Sequence, residues 1–187
     1  RGGADAIQWR DKTASPEELT RTAVRLAAVA RPARIPFIVN DHPEIAHAVG
    51  AAGVHLGQDD LPIQAAREIM GAGTLVGKST HSVEQALAAA AEGADYIGFG
   101  PLFSTPTKPE YASIGLTIIP KVLEAVRVPV VCIGGIDQER LADVLHAGAR
   151  CIAVVRAVCA APDPEAATRM LKQTIVRSLH SHTPAEL

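Results

Sequence analysis

Val49-Gly50-Ala51-Ala52-Gly53-Val54-His55, Ala91-Glu92-Gly93-Ala94-Asp95-Tyr96-Ile97 and His146-Ala147-Gly148-Ala149-Arg150-Cys151-Ile152 share one local grammar. In each, a glycine suited to the left-handed conformation can close a helix, and small residues lead at once into an apolar run. A helix end joined this tightly to a buried strand is the αβ joint of a parallel sheet. Working outward, residues 6–9, 37–39, 53–56, 74–76, 96–99, 130–133 and 152–155 read as short apolar strands. Residues 16–30, 62–70, 83–92, 118–126, 138–146 and 164–179 carry helical spacing, with a shorter helix after Pro43. Several helices open with proline or an acid in the first turn. Repetition of βα units at this period predicts an α/β fold, a (β/α)8 TIM barrel spanning 1–187 as one domain, rather than an open sheet. Only seven strands are visible. Because Arg1-Gly2-Gly3-Ala4-Asp5 reads as a helix end feeding a strand, a first strand and most of its first helix are expected to precede residue 1. A barrel lacking them would expose two parallel edges, so these residues alone are expected to be unstable or inactive.

Composition bounds the partners. The 187 residues are 48% hydrophobic and 20% charged, which suits one folded core and excludes a disordered chain. A net charge of −2 leaves no basic excess to neutralise a phosphate backbone, so no nucleic acid is expected as partner. Apolar runs fall short of the ~18 residues that span a bilayer, and residues 1–5 hold no signal-peptide core, so neither membrane nor secretion is expected. Cys132, Cys151 and Cys159 lack metal or redox spacing and read as buried thiols of a reducing, cytoplasmic compartment. Association into a homo-oligomer stays open.

In such barrels the C-terminal ends of the strands build the active site. The first visible strand runs into Gln8-Trp9-Arg10-Asp11-Lys12, where Gln8, Arg10 and Lys12 recur at period two and face one way, into the barrel mouth. A guanidinium fork beside an ammonium suits a diphosphate, although a surface ion-pair cluster is the plainer alternative. The next two strands end in Asn40-Asp41 and Gly57-Gln58-Asp59-Asp60. Carboxylates from separate strand ends match Mg2+, which takes one or two of them and fills its shell with phosphate oxygens and water. Asp41 and Asp60 are the expected ligands. Asp60 equally suits the N-cap of a helix before Leu61-Pro62, and Asp59 could cap or face solvent. Gly77-Lys78-Ser79-Thr80-His81-Ser82 brings hydroxyls to a helix start, where an anion is favoured; Ser79 and Thr80 are the ligand candidates, Ser82 a cap, and His81 a hydrogen-bonded structural residue rather than a base. The connection over residues 100–115 exceeds the usual ~2–6 residues and reads as a functional lid carrying Thr105, Thr107 and Lys108. Gly134-Gly135 and Val155-Arg156 stand where barrels often hold a substrate phosphate on backbone amides.

These stretches, with the run from Gly93 through Lys108 and Ile133-Gly134-Gly135-Ile136, resemble the thiamine phosphate synthase family, a (β/α)8 transferase, over nearly the whole chain. The resemblance implies Mg-dependent coupling of 4-amino-5-hydroxymethyl-2-methylpyrimidine diphosphate with 4-methyl-5-(2-phosphoethyl)thiazole, through a dissociative pyrimidine cation, to thiamine phosphate and diphosphate. It assigns Gln8, Arg10, Lys12, Asn40, Ser79 or Thr80, and Lys108 to the pyrimidine diphosphate, with Arg10, Lys12, Ser79 and Lys108 as catalytic groups. It assigns Asp41 and Asp60 to magnesium, and Thr105, Thr107, Gly135, Val155 and Arg156 to the thiazole phosphate. Two departures stand out: Arg156 replaces a serine usual in the family, and Arg150-Cys151 replaces its usual Asp-Gly. The alternatives are a thiazole tautomerase of the same superfamily, with His81 as base, and a non-catalytic binder of thiamine precursors.

Overall fold

Alternating apolar strands and alanine-rich helices leave few ways to bury both faces of every strand. The computed structural model, which describes residues 1–105 and 112–181, adopts the barrel solution. Strands β1 Ile7–Trp9, β2 Phe37–Asn40, β3 Gly53–Leu56, β4 Leu75–Thr80, β5 Tyr96–Phe99, β6 Val130–Cys132 and β7 Cys151–Ile152 form one parallel sheet in sequence order. Order without reversal distinguishes a barrel from a doubly wound sheet, whose order switches partway. Between the strands lie α1 Pro16–Ala30, α2 Pro43–Ala48, α3 Ile63–Met70, α4 Val83–Ala91, α5 Ile119–Ala125 and α6 Leu141–His146; α7 Arg156–Cys159 and α8 Pro164–Ser181 follow β7.

Strand alternation sorts the side chains. Phe37, Val39, Val54, Leu56, Val76, Ile97, Phe99, Val130 and Cys132 pack outward in one core with Ala23, Ala27, Ala46, Ala66, Ala86 and Ala89 of the helices. Small helix residues let the helices approach the sheet closely. The alternate positions, among them His55, Ser79 and Tyr96, face the barrel interior. Glycine makes room there: a Cβ on Gly77 would stand 2.1 Å from Tyr96 Cζ, and one on Gly98 3.1 Å from His55 Cε1.

The segment before β1 lies against α8, where Lys172 Nζ donates to both Asp5 carboxylate oxygens at 2.6–2.7 Å. A Cβ on Gly2 would meet Thr168 Cβ at 2.6 Å. In the helix layer, therefore, the two ends of the sheet are bridged even though β1 and β7 each pair with a single neighbour.

Several elements differ from expectation. β4 continues through Thr80, so Lys78, Ser79 and Thr80 are strand residues, not a loop. α6 begins at Leu141 because Asp137 Oδ1 accepts from Arg140 N at 3.0 Å and holds residues 137–140 in a turn. β7 is confined to two residues, and Val155-Arg156 initiates a short helix that the pattern did not announce. Only Cys132 is a buried thiol, its pKa pushed up to about 12 by burial and the neighbouring Cys151; Cys151 and Cys159 are exposed, one on the edge strand β7 and one ending α7. Among the described residues no helix is long and apolar enough to cross a membrane.

Candidate active site

The sharpest chemistry gathers where β2 and β3 end. Asp41 follows β2 in the left-handed region at φ 66°, a conformation aspartate tolerates better than most residues, and its N–H donates to His55 O at 2.8 Å. This turn holds its carboxylate at the mouth, where Lys12 Nζ donates to Oδ2. Asp60, four residues past β3, meets Asp41 carboxyl to carboxyl and accepts from Gly57 N at 2.6 Å. Gly57 must lack a side chain, because a Cβ there would lie 2.8 Å from Asp60 Oδ2.

Two carboxylates in contact cannot both stay charged without a counter-charge. Burial, with the neighbouring Asp60, raises the pKa of Asp41 against the lowering effect of Lys12. Burial also pushes Asp60 upward, but hydrogen bonds from Asp41 and the Gly57 amide, and the charges of Lys12 and Lys78, bring it below the ordinary value. The contact thus pushes the two carboxyls apart, Asp41 toward its neutral form and Asp60 toward its charged one. A divalent cation taking hard oxygen ligands would relieve this like-charge contact, and the donor set fits magnesium: two carboxylates, with the remaining positions open to water and phosphate. Among the described residues no group of three or more His, Cys, Asp or Glu gathers to hold a metal, so the candidate rests on the Asp41–Asp60 pair alone.

The neighbouring strand end supplies a hydroxyl. Ser79 Oγ lies 2.9 Å from His55 Nε2, and Gln58 Nε2 donates to Ser79 O, tying the β3 loop to β4. Further round, the loop after β5 packs on the loop after β6. Leu102 N donates to Ile133 O at 2.9 Å and Phe103 N to Gly134 O at 3.0 Å. Gly134, at φ 103°, admits this contact, since a Cβ there would stand 2.4 Å from Pro101 Cα. Arg140 braces the same junction, with Nη1 donating to Gly135 O at 2.8 Å and its guanidinium 5.0 Å above the Phe103 ring.

The family model of thiamine monophosphate synthase matches residues 1–158. The chain belongs to that family. It is 47% identical over 175 residues to the thiamine-phosphate synthase of Chloroflexus aurantiacus, covering 93% of this chain and 81% of that protein. It is 43% identical over 186 residues to the counterpart in Roseiflexus sp., covering 99% and 79%. Among solved structures, thiamine phosphate pyrophosphorylase from Pyrococcus furiosus superposes with a TM-score of 0.88 at 40% identity, over 95% of this chain and 86% of that one. The 3-hexulose-6-phosphate synthase of Salmonella typhimurium, at 17% identity and TM-score 0.64 over 83% and 81%, shares the barrel alone.

Within this thiamine monophosphate synthase barrel the expected residues separate into groups. Lys12, Asp41 and Asp60 are drawn together past the ends of β1, β2 and β3, Asn40, buried, closes β2, and Ser79 stands at the end of β4 bonded to His55. Arg10 is exposed at the end of β1, and Gln8, also exposed, acts on the Tyr96 phenol. Asp60 is not a helix cap: the residue capping α3 is Pro62, which offers no side-chain bond. Asp59 faces solvent. Thr80 is fully buried and donates to Gly98 O at 3.1 Å, which leaves Ser79 as the hydroxyl at the mouth. His81 is anchored, its N–H donating to Gln85 Oε1 at 2.7 Å and its ring Nδ1 to Gly100 O. Val155 and Arg156 are exposed at the start of α7, and Gly135 lies under Phe103 and Arg140. Thr105 is half-buried; Thr107 and Lys108 lie outside the described residues.

Three residues went unnoticed in the sequence as functional candidates. Lys78 is buried and acts electrostatically on Asp60; extending β4 past Val76 would have revealed it as part of a strand end. His55 and Tyr96 point into the barrel, a placement readable from strict alternation in β3 and β5.

Proposed function

We propose that this chain catalyses magnesium-dependent formation of thiamine phosphate and diphosphate from 4-amino-5-hydroxymethyl-2-methylpyrimidine diphosphate and 4-methyl-5-(2-phosphoethyl)thiazole. The observation that carries the reading is the Lys12–Asp41–Asp60 cluster, a cation with paired carboxylates, with the Ser79 hydroxyl at the next strand end, a set that matches a metal-bound diphosphate. Family membership and close similarity to synthases along nearly the whole chain support it independently.

In this reaction the methylene C–O bond of the pyrimidine diphosphate breaks, the oxygen keeps the electron pair, and the thiazole nitrogen then forms the C–N bond. Asp41 and Asp60 would hold magnesium, which when bound neutralises charge growing on the departing diphosphate. Arg10 and Lys12 supply further positive charge from β1, and Ser79 supplies a hydrogen-bond donor. No proton is taken from carbon, so charge stabilisation and positioning carry the rate rather than a general base. The exposed Arg156 guanidinium and the Gly134-Gly135 turn suit the phosphate of the thiazole. His81, already bonded through its ring to Gly100 O, lends no support to the tautomerase alternative.

The test is direct. With both substrates and magnesium the protein releases diphosphate and thiamine phosphate in equal amounts. Binding of the thiazole phosphate without diphosphate release would instead favour a non-catalytic binder, and isomerisation of a carboxylated thiazole phosphate without metal would favour the tautomerase.

A further inference from the structure

Beneath Ser79 the barrel interior holds two polar side chains, His55 and Tyr96, that the synthase reading does not use. His55 projects inward from β3 with Nδ1 3.1 Å from Tyr96 Oη and Nε2 2.9 Å from Ser79 Oγ. The Gln8 side chain of β1 lies close enough to the Tyr96 phenol, on β5, to favour its charged form against the effect of burial. Gly77 and Gly98 leave the space that these two rings fill, and the ring centroids lie 5.4 Å apart. Four side chains from β1, β5, β3 and β4 thus form one line across the barrel, ending at the mouth.

We propose that His55 and Tyr96 are positioning residues for the reaction: with Gln8 they form a one-way hydrogen-bond relay that turns the Ser79 hydroxyl proton outward, toward the anion held at the strand ends. The proposal rests on the synthase reading of that anion as a diphosphate.

The direction is set at the Gln8 end, where the relay has the amide N–H donate rather than the amide oxygen accept. A primary amide of Gln8 donating into Tyr96 Oη leaves the phenol proton to go onward to His55 Nδ1. A neutral imidazole that accepts at Nδ1 carries its proton on Nε2 and donates it to Ser79 Oγ. The serine oxygen is then occupied from within, and its own proton is available to an incoming phosphate oxygen. Run in reverse, Ser79 would donate inward to His55 and offer the diphosphate only lone pairs, which repel it. Burial drives the Tyr96 pKa well above the ordinary phenol range, so it remains a donor throughout the working pH range. Each member is held by strand geometry, which spares the entropy of fixing the serine rotamer when substrate binds.

The experiment has one arm without turnover and one with it. In the full chain labelled with 15N-histidine, ring correlation spectra at neutral pH are expected to show His55 protonated on Nε2 and bare at Nδ1; the opposite tautomer overturns the relay. In turnover assays His55→Leu is expected to lower kcat about 10- to 100-fold, while the thiazole phosphate KM stays within about twofold. His55→Gln, which keeps a donor on that side, is expected to recover most of the loss. In a Ser79→Ala background the His55→Leu change should cost less than about threefold, because its effect passes through Ser79; independent, multiplicative losses overturn the proposal. Should His55→Leu fail to fold, Tyr96→Phe provides the same arms, with the His55 proton expected to redistribute toward Nδ1, and an unchanged tautomer and kcat overturning the proposal. Binding of inorganic diphosphate with magnesium separates the two ideas. If the wild-type chain forms no thiamine phosphate yet binds diphosphate about tenfold more tightly than His55→Leu, with the Nε2 tautomer, the relay stands and the synthase reading falls.

Discussion

Asp41 concentrates most of what the site requires: a left-handed backbone, a buried carboxyl, a lysine on one oxygen and a second carboxyl beside it. Its pKa in the folded chain is raised above the ordinary 3.8, so its contribution to stability is fully present below about 3.8 and is lost as pH rises through the folded value. A metal bound between the two carboxylates would reverse this loss. Thermal melts are therefore expected to show magnesium stabilisation at neutral pH that fades as acid returns the proton to Asp41, and equal magnesium shifts at pH 4 and pH 7 would refute the assignment. Asp41→Asn and Asp60→Asn are each expected to lower turnover about 100-fold or more at low magnesium, with the metal titration displaced to higher concentration. The Arg156 side chain makes no hydrogen bond or ion pair among the described residues and stands exposed, so its charge is available to a ligand. Arg156→Ser is expected to raise the thiazole phosphate KM several-fold with kcat little changed; a lower KM would mean that the guanidinium obstructs the pocket.

At the scale of elements, ends and joints matter more than interiors. α1 opens with a capping box, Ser15 Oγ accepting from Glu18 N at 3.3 Å and Glu18 Oε2 from Ser15 N at 3.0 Å. Ser15→Ala is expected to cost about 1 kcal/mol in denaturant unfolding and to leave turnover alone, as the cap lies away from the cluster. Gly134 is a harsher position, because alanine there meets both an unfavourable φ and the Pro101 backbone. Gly134→Ala is expected to shift the β6 loop away from the β5 loop, costing about 1–3 kcal/mol and raising the thiazole phosphate KM; an unperturbed KM would remove that turn from the phosphate site. The Gly-Ala joints before β3, β5 and β7 were legible in the sequence because local backbone chemistry dictates them. The start of α6 was not, since the Asp137 turn competes with a helix that would otherwise extend to Gln138.

For the whole molecule, cooperativity resides in the layer between sheet and helices. Ile97, fully buried between β5 and that layer, has no room to be replaced by a smaller side chain without a cavity. Ile97→Ala is expected to cost about 2–5 kcal/mol in one cooperative transition, read by both far-UV and tryptophan signals from Trp9. The Asp5–Lys172 bridge, though geometrically good, joins side chains 80% and 35% exposed, so Lys172→Ala is expected to cost under about 1 kcal/mol. Closure of the helix layer owes more to apposition of the Gly2 backbone and α8 than to that charge pair.

Short-range chemistry made the barrel class, the strand-helix alternation and the locations of Asp41, Asp60 and Ser79 readable from the amino acids alone, because caps, alternation and strand ends are local properties. Which groups meet is not local. That Thr80 is spent inside while Ser79 faces the mouth, and that Lys78 lies buried near Asp60, depend on register between strands roughly twenty residues apart. The line from Gln8 through Tyr96 and His55 to Ser79 joins residues from four strands, and only the curl of the sheet brings Tyr96, His55 and Ser79 to hydrogen-bonding distance.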